Sequence, residues 1–169
     1  MKQGGQKERE YMAMLDKCRG LISSLCVVHQ NNLDVDYDDI QQDIRANLWL
    51  SYESFEGKSS LTTWVYKVAL NTIYLHYRRQ RYRLRTEHQP TENLNTIADK
   101  KDNELTEQLY KLIDQLETDE KTIITMYLER LTQKEIGEVL GLSEDTVNGR
   151  IRRIKKKLKE LNDHDNGER

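Results

Sequence analysis

Between Leu131 and Leu161 the chain reads LTQKEIGEVLGLSEDTVNGRIRRIKKKLKEL, and few local folds accommodate that order of residues. Thr132 followed three residues later by Glu135 is a capping box, in which hydroxyl and carboxylate each satisfy a free backbone N–H, so a helix starts there. Gly141 supplies what a helix stop or tight turn needs, and Ser143 offers a second N-cap two positions on. The spacing predicts two helices joined by a short turn, a helix-turn-helix.

The second of these helices carries its own evidence. Val147, Ile151, Ile154, Leu158 and Leu161 recur at steps of four and three and form one narrow apolar stripe. The opposite side holds Asp145, Gly149, Arg152, Arg153, Lys156 and Lys159, with Asn148 on a flank. From Arg150 to Leu161 there are seven Lys or Arg against one acid, Glu160. Beside a helix-turn-helix frame such a block suits the phosphates bordering a major groove. Without the frame it is equally a solvated helix end, where cations meet the negative pole of the dipole. Gly149 sits on the outward side of this helix, where a missing side chain allows close approach to a groove; tolerated drift is the plainer explanation. Asn148, Arg152 and Arg153 have the chemistry of base readers, because asparagine pairs with adenine and arginine with guanine in bidentate fashion.

A length of 169 residues allows one domain or two small ones. With 33% charged residues, one proline and no long apolar run, the chain reads as soluble and strongly helical. The opening MKQGGQKERE lacks the apolar core of a signal peptide, and no segment approaches the roughly 20 apolar residues that cross a bilayer, so a cytoplasmic protein without membrane insertion is expected. The net charge of −2 conceals segregation. His76 to Arg85, HYRRQRYRLR, has five arginines and no acid, whereas Asp99 to Glu120 holds eight acids against three lysines. Two basic segments set apart by acidic ones suggest two contacts on a polyanion. Cys18 and Cys26 are too far apart for a CxxC pair, and with Leu15, Ile22, Leu25 and His29 they follow helical spacing as small core residues. His76, His88 and His164 have no partner pattern for zinc or catalysis, so neither a metal, a cofactor nor an enzyme is expected.

In the N-terminal half, Lys7 to about Gln30 reads as a first helix and Asn31 to Tyr37 as a polar connection. A second helix opens at Asp36 and Asp39 and runs to about Phe55, with Ile40, Ile44, Leu48 and Trp49 as its core stripe. Its other side, Asp39, Gln42, Asp43 and Asn47, is polar and acidic, and by itself reads equally as a solvated surface. The GKS of Ser54 to Ser60 resembles the end of a P-loop, but the glycine required five positions before Gly57 is Tyr52. A loop in which Ser59 or Ser60 caps a third helix, Leu61 to about Tyr82, fits better. Leu61, Trp64, Val65, Val68, Thr72 and Leu75 are its expected core side, with Tyr66, Leu70, Tyr74, Tyr77, Arg78 and Arg81 opposite. Aromatic rings interleaved with arginines are what a melted nucleic-acid strand needs, since bases stack on rings while cations follow the backbone. The alternative is that the tyrosines are half-buried core residues with wet hydroxyls.

The stretch from Asp39 to Arg83, especially DIQQDI and ESFEGKSSLTTWVYKVALNTIYLHYRRQRY, resembles the second domain of a bacterial sigma factor of the extracytoplasmic-function class. Tyr110 to Leu161 is similar to the fourth domain of that class. The resemblance implies an all-α chain of two small helical domains, 1–84 and 104–169, joined by a flexible linker, 85–103, that contains Pro90. It implies a promoter-specificity subunit that binds core RNA polymerase at the clamp helices of the largest subunit and at the flap, recognises the −10 and −35 elements of promoter DNA, and is held by an anti-sigma factor. By position, Asp39, Gln42, Asp43 and Asn47 would meet the clamp helices. Phe55, Lys58, Ser59 and Ser60 would hold a base flipped from the −10 element, Asn71 would read a base, and Arg78, Arg79 and Arg81 would grip the backbone. Asn148, Gly149, Arg150, Arg152, Arg153 and Lys156 would enter or flank the major groove at the −35 element. Helices at about Glu104–Leu116, with Leu105, Leu109, Leu112 and Leu116 inward, and Thr118–Glu129 complete the last domain. A stand-alone helix-turn-helix regulator with an N-terminal dimerisation or sensing bundle is the alternative.

Overall fold

A computed structural model describes residues 3–87 and 104–167, and the regular structure among them is helical throughout. The chain divides into two compact units, Met1–Leu94 and Asn95–Arg169. Pro90 and most of the expected linker lie outside the described residues.

The first unit is built from α1 (Gln3–Gln30), α2 (Tyr37–Ser51), a 3-10 turn (Tyr52–Ser54) and α3 (Leu61–Glu87). On α1 the buried positions Tyr11, Met14, Cys18, Ile22 and Leu25 recur every three or four residues, and Ile40, Ile44 and Leu48 do the same on α2. Both helices pack on α3. That double contact widens the buried arc of α3 beyond one stripe. Tyr66 and Leu70, expected to face outward, are buried with Val65, Ala69 and Ile73, whereas Trp64, Val68 and Leu75 are only half-buried. The tyrosine of a stacking platform is thus, at position 66, a core residue.

Helix ends also differ from expectation. α1 begins before Lys7, where the Arg9 Nε–H donates to the Gly5 carbonyl at 2.9 Å and supports the first turn. α2 stops at Ser51, and the chain tightens into the 3-10 turn, with the Phe55 N–H donating to the Tyr52 carbonyl at 3.3 Å. α3 runs five residues past Tyr82, because arginine is a good helix former and Arg83 pairs with Asp34 of the α1–α2 connection. Some buried polar groups find partners across helices. His29 Nδ1 lies 3.0 Å from the Tyr77 hydroxyl, and Asn47 Nδ2 donates to Thr72 Oγ1 at 2.9 Å. Cys18 and Cys26 are free thiols in this core, and burial pushes both up, Cys26 to about 12.

The second unit consists of α4 (Glu104–Asp114), α5 (Thr118–Leu128), α6 (Gln133–Leu140) and α7 (Glu144–Gly167). Its core is Ile113, Leu116, Ile123, Ile124, Met126, Leu131, Ile136, Val147, Ile151 and Ile154. Leu105, expected inward, is 71% exposed, and Ile113 rather than Leu105 completes the inner side of α4. Lys121 is fully buried, and its Nζ donates to Asp114 Oδ1 at 2.8 Å, so a charge pair joins α5 to the end of α4. Thr122 and Thr125 bond their hydroxyls back to the Thr118 and Lys121 carbonyls, which lets an otherwise polar stretch face inward.

Candidate nucleic-acid interface

The turn between α6 and α7 fixes the second unit's outward helix. Thr132 and Glu135 form the expected capping box, with the Glu135 N–H donating to Thr132 Oγ1 at 3.2 Å and the Thr132 N–H to Glu135 Oε2 at 2.9 Å. Gly141 ends α6 in the left-handed region at φ +69°. Ser143 Oγ then accepts from the Thr146 N–H at 3.2 Å and starts α7. A residue not singled out from the sequence matters as much. A Cβ added at Gly137 would stand 2.5 Å from the Leu142 carbonyl oxygen, so only glycine lets the turn fold back onto α6. The available signal was a glycine inside a short amphipathic helix.

α7 divides along its length into an inner and an outer side. Val147, Ile151 and Ile154 are buried, and Leu158 and Leu161 are half-buried. Asn148, Arg152, Arg153, Lys156 and Lys159 are exposed, while Gly149 and Arg150 are intermediate. Two of the seven cations are tied inward. Lys155 Nζ donates to the Tyr127 hydroxyl at 2.7 Å and sits 4.1 Å from that ring's centre; Lys157 Nζ donates to Glu120 Oε2 at 2.7 Å. Glu120 Oε2 also accepts the Glu117 N–H at 3.1 Å, so one carboxylate caps α5 and holds α7. Burial disfavours charge at Glu120, but the Lys157 bond and the Glu117 N–H outweigh it and hold the carboxyl below its ordinary value. Arg153 Nε donates to the Gly149 carbonyl at 3.3 Å, and Lys156 faces Glu160 at 3.7 Å. Gly149 has open space where a Cβ would stand.

In the first unit, the loop ahead of α3 turns at Gly57, φ +69°. Phe55 is half-buried against Trp64, with ring centres 5.1 Å apart. Lys58 is exposed and pairs with Glu56. Ser60, rather than Ser59, caps α3, accepting the Thr63 N–H at 3.1 Å. Asn71 is exposed one helical stretch further on, as are Arg78, Arg79, Arg81 and Tyr82, the last 72%. Arg79 stands apart from the other two arginines, because it lines a cavity shared with Asp39, Gln42 and Asp43 of α2. Those three α2 residues are exposed together, whereas Asn47 is half-buried and committed to Thr72.

Residues 14–83 match the Sigma-70 region 2 family, and residues 106–158 match the Sigma-70 region 4 family. The ECF RNA polymerase sigma factor SigW of Bacillus subtilis (strain 168) is 27% identical over 169 residues, spanning 88% of this chain and 88% of that protein. RNA polymerase sigma factor YlaC of the same organism is 32% identical over 133 residues, 72% of this chain and 74% of that protein. Among solved structures, the sigma factor RpoE in complex with the anti-sigma factor NepR from Bartonella quintana aligns with a TM-score of 0.75 at 18% identity, covering 91% of this chain and 94% of that one. CnrH in complex with the cytosolic domain of CnrY aligns at 0.65 and 22% identity, over 94% and 90%. At such identities the likeness is one of fold.

Proposed function

Because this chain belongs to the extracytoplasmic-function class of RNA polymerase sigma factors, we propose that its α2 docks core polymerase while α3 and α7 read two separate promoter elements. As a sigma subunit it binds core RNA polymerase and promoter DNA and directs transcription initiation. The observation that carries the residue-level reading is α7: behind a turn that only glycine permits, its apolar stripe is inward and Arg152, Arg153, Lys156 and Lys159 are exposed. Arginines there suit guanine edges, Asn148 suits adenine, and the lysines suit phosphates.

On α3, exposed Asn71 and Arg78, Arg81 follow the half-buried Phe55 and the Gly57 turn, a sequence of groups that supports capture of an unpaired −10 strand. The burial of Tyr66 reduces the stacking surface of the helix, and Tyr82 is its most exposed ring. Asp39, Gln42 and Asp43 make the docking face; Asn47 belongs to the α2–α3 contact instead. An anti-sigma factor is the inhibitory partner by analogy with the complexed relatives. No helix among the described residues is long and apolar enough to cross a membrane, in keeping with a subunit that works on polymerase. Reconstitution with core polymerase tests the reading: promoter-dependent transcripts with α7 protected at the upstream element support it. Tight duplex binding without polymerase, and no change in start sites, would instead favour a stand-alone regulator.

A further inference from the structure

Between α2, α3 and the α1–α2 connection lies a cavity of about 400 Å³, room enough for more than one side chain. Several groups on its walls are engaged within the protein: Arg83 pairs with Asp34, and His76 Nε2 lies 3.1 Å from Asp43 Oδ2. Three others are not. Asp39 and Gln42 on α2 and Arg79 on α3 line the cavity with side chains that form no hydrogen bond or ion pair among the described residues. An unpaired carboxylate and an unpaired guanidinium thus stand on different walls with space between them. Helix geometry explains why Arg79 is there. It falls three positions after His76 and four before Arg83, on the side of α3 that faces α2. Asn71, Arg78 and Arg85 recur every seven residues, about two turns, along a different side.

We propose that Arg79 binds core polymerase rather than DNA, and that the cavity receives a polymerase segment bearing one basic and one acidic side chain, the base for Asp39 and the acid for Arg79. The inference rests on the reading of α2 as the docking helix and carries that surface across onto α3. A partner of one sign gains one wall and is repelled by the other, so unpaired groups of both signs select a partner that has both. Gln42, donor and acceptor at once, serves either. The guanidinium of Arg79 suits the acid, because its planar fork meets a carboxylate through two parallel hydrogen bonds. A phosphate strand fits poorly, since Asp39 and Asp43 line the same cavity and repel it. The grip on the −10 backbone then falls to Arg78 and Arg81, which are exposed outside the cavity.

The test compares Arg79→Ala with Arg78→Ala in the full chain; both side chains are exposed, so truncation leaves the fold intact. Two quantities are read: the affinity for core polymerase and, in holoenzyme assembled at saturation, the affinity for a labelled single strand from the −10 region of a promoter it transcribes. Arg79→Ala weakens core binding about threefold to fivefold, the upper scale for one partly exposed ion pair, and Arg79→Lys recovers part of the loss. Its holoenzyme binds the strand as wild type does, with the same salt dependence. Arg78→Ala does the reverse: core affinity holds, and the slope of log affinity against log salt falls by about 0.7, one phosphate contact on a single strand. Unchanged core binding in Arg79→Ala overturns the proposal. So does tighter binding, because a partner offering only cations gains when Arg79 is removed, and so does a reduced salt slope in its holoenzyme. Asp39→Arg separates the two levels. If it binds core polymerase as tightly as wild type, α2 is not the docking helix; if it binds weakly while Arg79→Ala is unaffected, only the role of Arg79 fails.

Discussion

Gly137 and Gly149 are both helical glycines, and their surroundings assign them opposite costs. A methyl at 137 meets a backbone oxygen that cannot move aside, so Gly137→Ala lowers the stability of the second unit by roughly 1–3 kcal/mol, the range for overpacking. Thermal or urea unfolding followed by circular dichroism measures it. A methyl at 149 meets nothing within 4 Å, so Gly149→Ala raises helix stability by up to about 1 kcal/mol. Any loss of promoter affinity in that stabilised variant reports close approach of DNA to the helix. Lys121 shows the same dependence on context. Asp114→Ala leaves a buried ammonium without this carboxylate and destabilises the unit, whereas adding Lys121→Met recovers part of the loss, because an apolar side chain of similar length needs no counter-charge. Unfolding midpoints of the single and double variants decide it.

At the scale of the helix, the seven cations of α7 are not equivalent. Lys156 is exposed, and its 3.7 Å contact with Glu160 is a surface ion pair that a phosphate displaces, whereas Lys157 is held by Glu120 of α5. Lys156→Ala therefore reduces the slope of log affinity against log salt by about 1, while Lys157→Ala leaves the slope unchanged. Arg152→Ala costs about 1–3 kcal/mol at a specific site, read by titration against matched and mismatched duplexes. The Glu120 tie also has a pH signature. A carboxyl lowered from 4.5 in the folded state contributes stability that is complete above the ordinary glutamate range and is lost as pH falls through the lowered value. Glu120→Gln should thus lose more stability at about pH 7 than at about pH 3, compared by denaturant melts at each pH.

The Ile40, Ile44 and Leu48 stripe of α2, the stripe of α7, the Thr132 capping box and the Gly141 stop were legible along the sequence because each depends on residues within one or two turns, whereas Trp49, expected on the α2 stripe, is 37% exposed with its ring against Tyr11 and Lys7. The buried arc of α3 was not, since it is set by two neighbouring helices, and one-stripe reasoning put Tyr66 and Leu70 on the wrong side. Gly137 escaped because its constraint comes from a carbonyl in the following turn. Pairs such as Asn47 with Thr72, 25 positions apart, and Glu120 with Lys157, 37 apart, leave no local pattern at all. They decide which polar residues of the candidate surfaces remain available.

Over the whole molecule, docking and reading are assigned to different groups, so they separate by mutation. Asp43→Arg releases the chain from core polymerase in a pull-down while its helical signal persists, because the residue is half-exposed at the surface. Arg152→Ala stays with polymerase yet loses duplex affinity. One property of the first unit's interior makes such experiments simpler. With Cys26 held near 12 and Cys18 also raised, both native thiols are almost wholly uncharged and shielded at neutral pH, where only the thiolate alkylates. A maleimide dye therefore couples selectively to a cysteine installed at an open position such as Leu50, and the native protein needs no prior editing for fluorescence or cross-linking work.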